Sequence, residues 1–147
     1  MEKIYTGRKL DEFEEGEIFD SPARTITDAH IVAFSGLTGD FNPLHTDDVF
    51  CSKLPQGKRI AHGMLTLSLS LGLLNRYVEG TCIAFLGLEI NFTKMVFPGD
   101  TIHIHVTVKS KRPTSKPGKG VVVFTVQTVN QTGETVLEGD FTLLVEA

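Results

Sequence analysis

The chain of 147 residues has no tryptophan, two tyrosines, two cysteines and no surplus of positive charge: 14 Lys and Arg stand against 18 Asp and Glu, a net charge of −4. The missing basic surplus excludes the nucleic-acid binders, whose footprint is a cationic face. Cys51 and Cys82 have no CxxC spacing and no Cys/His cluster around them, which excludes a disulfide framework. Free thiols fit a reducing compartment. The segment Met1 to Thr6 has no apolar h-region, so no secretory signal is expected. Unbroken apolar runs such as Val121 to Phe124 stop far short of the roughly 20 residues that a spanning helix needs. A cytoplasmic protein that engages neither membrane nor nucleic acid is the expectation.

Hydrophobic residues make up 41% of the chain and charged residues 22%, a balance that folds rather than stays disordered. Repeats, linkers and low-complexity tracts are missing too, so residues 1–147 read as one domain. At about 150 residues such a domain hides roughly 70% of its unfolded surface and needs no staples.

Periodicity divides the chain into two textures. The first 26 residues are charged and turn-rich, with one or two short strands. Thr27 is placed to cap a helix from Asp28 to about Thr38, with Ile31, Phe34 and Leu37 as its apolar face and Gly39 as its terminator. An irregular segment from Asp40 to His45 follows, because Pro43 cannot continue a preceding helix. Thr46 or Asp47 then caps a short helix carrying Val49, Phe50 and Leu54. From Gly63 to about Tyr77, leucines at every second position read as a strand by period alone. Leucine nevertheless favours helix, and the stretch has few β-branched residues, so it reads as a buried helix. The second half is β-rich: Ile83 to Phe92, Thr101 to Lys111, Val121 to Val129 and Thr135 to Glu146, separated by Pro/Gly/Asn turns. Helices first and a strand meander after spell α+β, an antiparallel sheet around one long helix.

Chemistry concentrates at Asp40, Asn42, Pro43 and His45, followed by His62 and Gly63 at the start of the leucine helix. A carboxylate and an imidazole in one constrained turn suit acid–base work near neutral pH and could share one water. Gly63 offers a backbone N–H at a helix N-terminus, where an oxygen gaining negative charge is stabilised. Taken singly, each position also has a plain structural reading: Asp40 as a turn residue, Asn-Pro as a turn opener.

The run Phe34-Ser35-Gly36-Leu37-Thr38-Gly39-Asp40-Phe41-Asn42-Pro43-Leu44-His45 with Asp47, then Arg59-Ile60-Ala61-His62-Gly63-Met64-Leu65, resembles the MaoC-like hydratases. This family includes the (R)-specific enoyl-CoA hydratases. Phe97 to Thr101 resembles a loop between strands of that family. The resemblance implies a hot-dog fold and reversible syn addition of water to a trans-2-enoyl-CoA, giving a (3R)-3-hydroxyacyl-CoA. It makes Asp40 and His45 the catalytic pair, Gly63 the N–H that holds the thioester carbonyl, and Asn42 a holder of the turn or of the water. It implies no cofactor beyond the CoA of the substrate, and a homodimer that pairs sheet edges or a dimer of such dimers. A serine found two turns into the helix of some members falls at Leu71 here, with Ser70 beside it.

The CoA phosphates need cations. Lys109, Lys111 and Arg112, in a basic stretch that continues through Lys116 to Lys119, are the sequence's candidates, with Arg59 and Lys94 as competitors. His103 and His105 form an HxH pair without a third ligand nearby in sequence, so a solvated strand face explains them better than a metal. Asp47 and Asp48 read as first-turn helix charges, and Cys51 has no base partner. The sequence leaves two other functions open: a 3-hydroxyacyl dehydratase acting on acyl carrier protein, and a non-catalytic acyl-CoA-binding hot-dog protein.

Overall fold

The computed structural model describes residues 4–147. Short strands β1 (Ile18–Asp20) and β2 (Arg24–Thr25) lead in, after a single turn of 3-10 helix at Leu10–Glu12. Helices α1 (Asp28–Thr38), α2 (Pro43–Thr46), α3 (Asp48–Cys51) and α4 (Gly63–Asn75) come next, then β3 (Cys82–Phe92), β4 (Thr101–Pro113), β5 (Lys119–Val129) and β6 (Thr135–Glu146). The sheet order is β1-β4-β5-β6-β3, with β2 also on β4, and every pair is antiparallel. This is the α+β arrangement that the sequence implied, with the leucine-rich segment helical and laid against the sheet.

Alternation decides which side of β4 faces the helix. Ile102, Ile104, Val106 and Val108 are fully buried while the residues between them are half-buried. They join Leu65, Leu67 and Leu74 of α4 and Phe124, Phe141 and Leu143 of the neighbouring strands in one apolar cluster. Each such side chain contributes about 1.5–3 kcal/mol on full burial. A polar tie fixes α4 on the sheet: the Ser70 hydroxyl lies 2.8 Å from the Thr66 carbonyl and 2.7 Å from the Thr128 hydroxyl.

Several expectations need correction. The segment Asp40 to His45 is not wholly irregular. Asn42 accepts the Leu44 N–H and Pro43 occupies the first turn of α2, where its missing N–H costs nothing. Leu37 does not join the buried face of α1 but stands 83% exposed. That face is Ile31 and Ser35, four residues apart, with Phe34 half-buried. β4 and β5 run further than their apolar alternation, leaving only residues 114–118 as the turn. Nor is α4 buried all round: Met64, Ser68, Gly72 and Asn75 form an exposed strip. β3 is an outer strand, and Ile83, Phe85, Leu86, Leu88 and Phe92 on it are all at least 40% exposed.

Candidate active site

Gly39 ends α1 in the left-handed region (φ 79°), turning the chain back over the N-terminus of α4. Two nested turns then place the chemistry. The Asp40 carboxylate accepts the Asn42 N–H at 3.1 Å, and the Asn42 carbonyl oxygen of the side chain accepts the Leu44 N–H at 3.1 Å. Asp40 is therefore a turn residue and a site residue at once: one carboxylate oxygen is held, the other is free to face inward. Asn42 acts here as the cap of α2.

α2 carries His45 into a buried position, 9% exposed. Its Nδ1–H donates to the Ile60 carbonyl at 2.8 Å. Because a carbonyl only accepts, that bond puts a proton on Nδ1, and in the neutral ring Nε2 is then a bare acceptor. Nε2 faces the Asp40 Oδ2 at 3.9 Å. This separation is too long for a direct hydrogen bond and suited to a bridge. A water about 2.8 Å from both atoms would subtend an angle of roughly 90° at its oxygen, close to the angle between its own two O–H bonds. Two acceptors so spaced hold one water by both hydrogens and aim its lone pairs away from the pair.

His62 and Gly63 complete the site. The His62 ring is 2% exposed and stacks on His45, with centroids 3.8 Å apart and 26° between planes. Gly63 opens α4, and no side chain of the preceding His62 caps the helix. A cavity of about 290 Å³ is lined by Phe34, Thr38, Asp40, His45, His62 and Met64 together with Gly63. A second cavity, of about 370 Å³, lies between α4 and the 92–96 segment and shares Gly63. A Cβ on Gly63 would meet the Phe92 ring at 3.0 Å, so a side chain there would require that ring to shift.

Donor atoms of Asp40, His45 and His62 lie within 4.8 Å of one another, a spacing that a metal could bridge. The ring geometry opposes it. An imidazole lone pair lies in its ring plane, and lone pairs of two nearly parallel stacked rings do not converge on one ion. The donor set fits a water better.

The basic residues fall elsewhere. Arg59, a candidate for phosphate, is instead engaged from three sides. It bonds Asp48 at 2.5 Å and Asp28 at 3.0 Å, and reaches the His45 carbonyl at 3.4 Å. Its guanidinium, pushed further up by the Asp48 carboxylate against the effect of burial, ties α1 and α3 to the backbone of His45. Lys109 pairs with Asp140, and the Lys111 ammonium reaches the Leu10 carbonyl at 3.4 Å. Arg112 pairs with Val121, which pairs with Leu144, whereas Phe92 beside Gly63 pairs with Leu137. Seven residues of strand separate those levels, on the order of 23 Å. The sheet thus sets Lys111 and Arg112 towards the end away from Gly63 in the same chain, with Lys109 nearer mid-sheet beside Asp140. Lys94 lines the second cavity and bonds Glu134 at 3.0 Å.

Sequence reasoning leaves two participants, and one residue outside the site, without a role. Ile60 acts through its carbonyl, which no pattern of side chains signals. Ser35, on the buried face of α1, contacts His62 at 3.1 Å. Asp20 is the partner that the HxH pair lacked. The β1–β4 register sets it opposite His105, whose Nδ1 bonds it at 2.9 Å, with His103 Nε2 at 3.9 Å. Asp20 is exposed and the two histidines are half-buried, as on a solvated strand face. The Cys51 thiol is buried against the Pro43 and Leu44 carbonyls, and burial, then Asp47 and Asp48, pushes its pKa up, opposite to a nucleophile's need.

Comparison with known proteins places the chain in a family. The MaoC like domain family matches residues 12–130. An (R)-specific enoyl-CoA hydratase from Aeromonas caviae is 34% identical over 112 residues, 76% of this chain and 81% of the relative. An (R)-specific enoyl-CoA hydratase from Rhodospirillum rubrum is 31% identical over 138 residues, 94% of this chain and 92% of its own. A solved structure described as a monoamine oxidase regulatory protein from Archaeoglobus fulgius superposes with a TM-score of 0.86 at 36% identity, covering 95% of each chain. With its site motifs, its sheet wrapped on one helix and a match across most of its length, the chain belongs to the MaoC-like dehydratase family of hydro-lyases.

Proposed function

We propose that the protein adds water reversibly to trans-2-enoyl-CoA, forming (3R)-3-hydroxyacyl-CoA. The observation that carries this reading is the pair of acceptors, His45 Nε2 and Asp40 Oδ2, 3.9 Å apart on one wall of a cavity whose other wall is the uncapped N-terminus of α4. The thioester carbonyl accepts the Gly63 N–H, which as the first residue of a helix has no intrahelical acceptor. The water oxygen bonds C3 while one of its protons passes to the pair. The C2=C3 electrons move towards the carbonyl, whose oxygen becomes enolate-like against the Gly63 N–H. One such donor is worth about 10²–10³ in rate. Reclosing the carbonyl lets C2 take the proton back from the same pair. Oxygen and proton arrive from one side, so the addition is syn, and nothing in the sequence of steps calls for a cofactor.

The exposed apolar edge of β3 supports a second copy of the chain as its partner, because an edge strand unpaired on its outer side among the described residues, with five exposed large apolar residues, invites pairing. Size-exclusion chromatography with light scattering is expected to give a dimer or a dimer of dimers; a monomer at micromolar concentration would reject that part. The activity is tested by incubating the protein with crotonyl-CoA and following loss of the conjugated enoyl absorbance, then resolving the product enantiomers. Hydration to the (3R) product is expected. Binding of CoA esters without hydration at any chain length would refute the reading.

A further inference from the structure

His62 is built differently from an ordinary core histidine. It occupies the N-cap position of α4, yet its side chain caps nothing. Its Nε2 lies 3.2 Å from the Asp40 carbonyl oxygen and 3.1 Å from the Ser35 hydroxyl. Since the carbonyl can only accept, Nε2 carries the proton and Nδ1 is the bare nitrogen. That Nδ1 is buried and has no hydrogen-bond partner among the described residues. One face of the ring lies against His45 and the ring of Phe34 stands 4.9 Å away, tilted by 60°. A phenylalanine of similar size would fill this space without leaving a buried nitrogen unsatisfied. Only what the histidine does with its proton distinguishes it from such a filler, and a buried nitrogen left unsatisfied calls for an explanation.

We propose that His62 is a positioning residue for the Asp40–His45 pair, its Nε2–H holding the Asp40 backbone and its ring face holding His45. One side chain therefore touches both partners and sets the gap between them. The Asp40 main chain is pinned at its carbonyl, so its carboxylate keeps its place above α4. The His45 ring is constrained twice, in its plane by the Ile60 carbonyl and across its plane by the stack. Ser35 supports His62 in turn, which explains why a serine sits on the buried face of an otherwise apolar helix stripe. Acceleration by a positioned acid–base pair falls steeply with misplacement, and displacements near 1 Å cost on the order of a hundredfold.

The inference rests on the proposed hydration for its kinetic readout, so the test includes one measurement that does not. Three variants separate the two contacts: His62→Gln keeps a donor near the place of Nε2 and loses the ring face, His62→Phe keeps the face and loses the donor, and His62→Ala loses both. With crotonyl-CoA, His62→Ala is expected to lose on the order of a hundredfold or more in kcat with KM within about threefold, and Gln and Phe are expected to fall between Ala and wild type. Circular dichroism and light scattering select folded variants. If His62→Ala fails to fold, Gln and Phe decide the matter alone. Long-range ¹H–¹⁵N NMR of the His45 ring supplies the independent arm. Wild type should show the single Nδ1–H tautomer, and a variant without the stack should show exchange between tautomers. Folded variants with kcat within threefold of wild type and an unchanged His45 tautomer would overturn the inference. A wild type that leaves crotonyl-CoA untouched but loses its fixed tautomer on substitution would reject the hydratase reading and keep His62's role.

Discussion

Replacing Asp40 by asparagine isolates the chemistry from the architecture. The side chain is 50% exposed, and its structural duty is to accept the Asn42 N–H through one oxygen. Asparagine retains an acceptor oxygen of the same reach, so the turn that delivers His45 survives. Its second position becomes an NH₂ group, a donor aimed where the bridging water offers a hydrogen. Under the proposed hydration, the water then loses one of its two acceptors and its orientation towards C3. A positioned general base contributes about 10²–10⁴-fold, equivalent to roughly 3–5 kcal/mol of barrier. Stability is expected to change by less than about 0.5 kcal/mol, the ordinary range for an exposed substitution. The assay is kcat and KM for crotonyl-CoA beside urea unfolding of the same preparation. A fall of at least a hundredfold in kcat with an unchanged urea midpoint is expected. Turnover within threefold of wild type would show that the carboxylate is only a turn residue, and the bridging geometry would lose its meaning.

Gly139→Ala is expected to cost more than about 4 kcal/mol, because a Cβ there would lie 2.1 Å from the Glu89 carbonyl oxygen on a backbone with φ of +155°; thermal unfolding near the wild-type midpoint would contradict that crowding. Asp140 supplies a pH test. Burial raises its carboxyl, but the Lys109 ammonium and the Thr125 hydroxyl outweigh burial, and the net shift is downward. A depressed folded pKa gives stability that is fully present above the unfolded value near 3.9 and is lost as pH falls through the lower folded value. Asp140→Asn should therefore cost about 1 kcal/mol by urea unfolding at pH 7, discounted for the exposure of Lys109, and the gap to wild type should close below pH 4. An equal gap at pH 7 and pH 3 would count against the pairing.

Much of the fold is written in local pattern. Thr27, Asp28 and Gly39 bracket α1 because capping and left-handed termination are decided by single residues. The alternation of Ile102 to Val108 gives β4 because a half-buried strand repeats every two residues. Leu37 misleads because spacing gives a helix an apolar face without saying what covers it. Chain ends of strands were legible only as far as apolar alternation reached, while pairing carried β4 and β5 beyond it. At the site, Asp40, His45 and Gly63 were legible from residue type and motif. The Ile60 carbonyl, the stacked His62 and the three-sided engagement of Arg59 were not, since backbone acceptors and long-range approaches leave no periodic trace. Lys111 and Arg112 show the same limit: clustering in sequence says nothing of which part of a sheet the cluster occupies.

The bare start of α4 has a consequence for binding energetics. Helices usually end their first turn on a serine, threonine or aspartate oxygen, and omitting one costs about 1 kcal/mol. Here a residue that caps nothing stands in that position, and under the proposed chemistry the missing acceptor arrives with the ligand, as the oxygen of its thioester. Each turnover is then also a cycle of helix capping and uncapping. The leucine helix that organises the core would be at its most stable when the site is filled and the carbonyl most negative, so a non-reactive enolate mimic should raise the melting temperature more than a saturated acyl-CoA at equal occupancy.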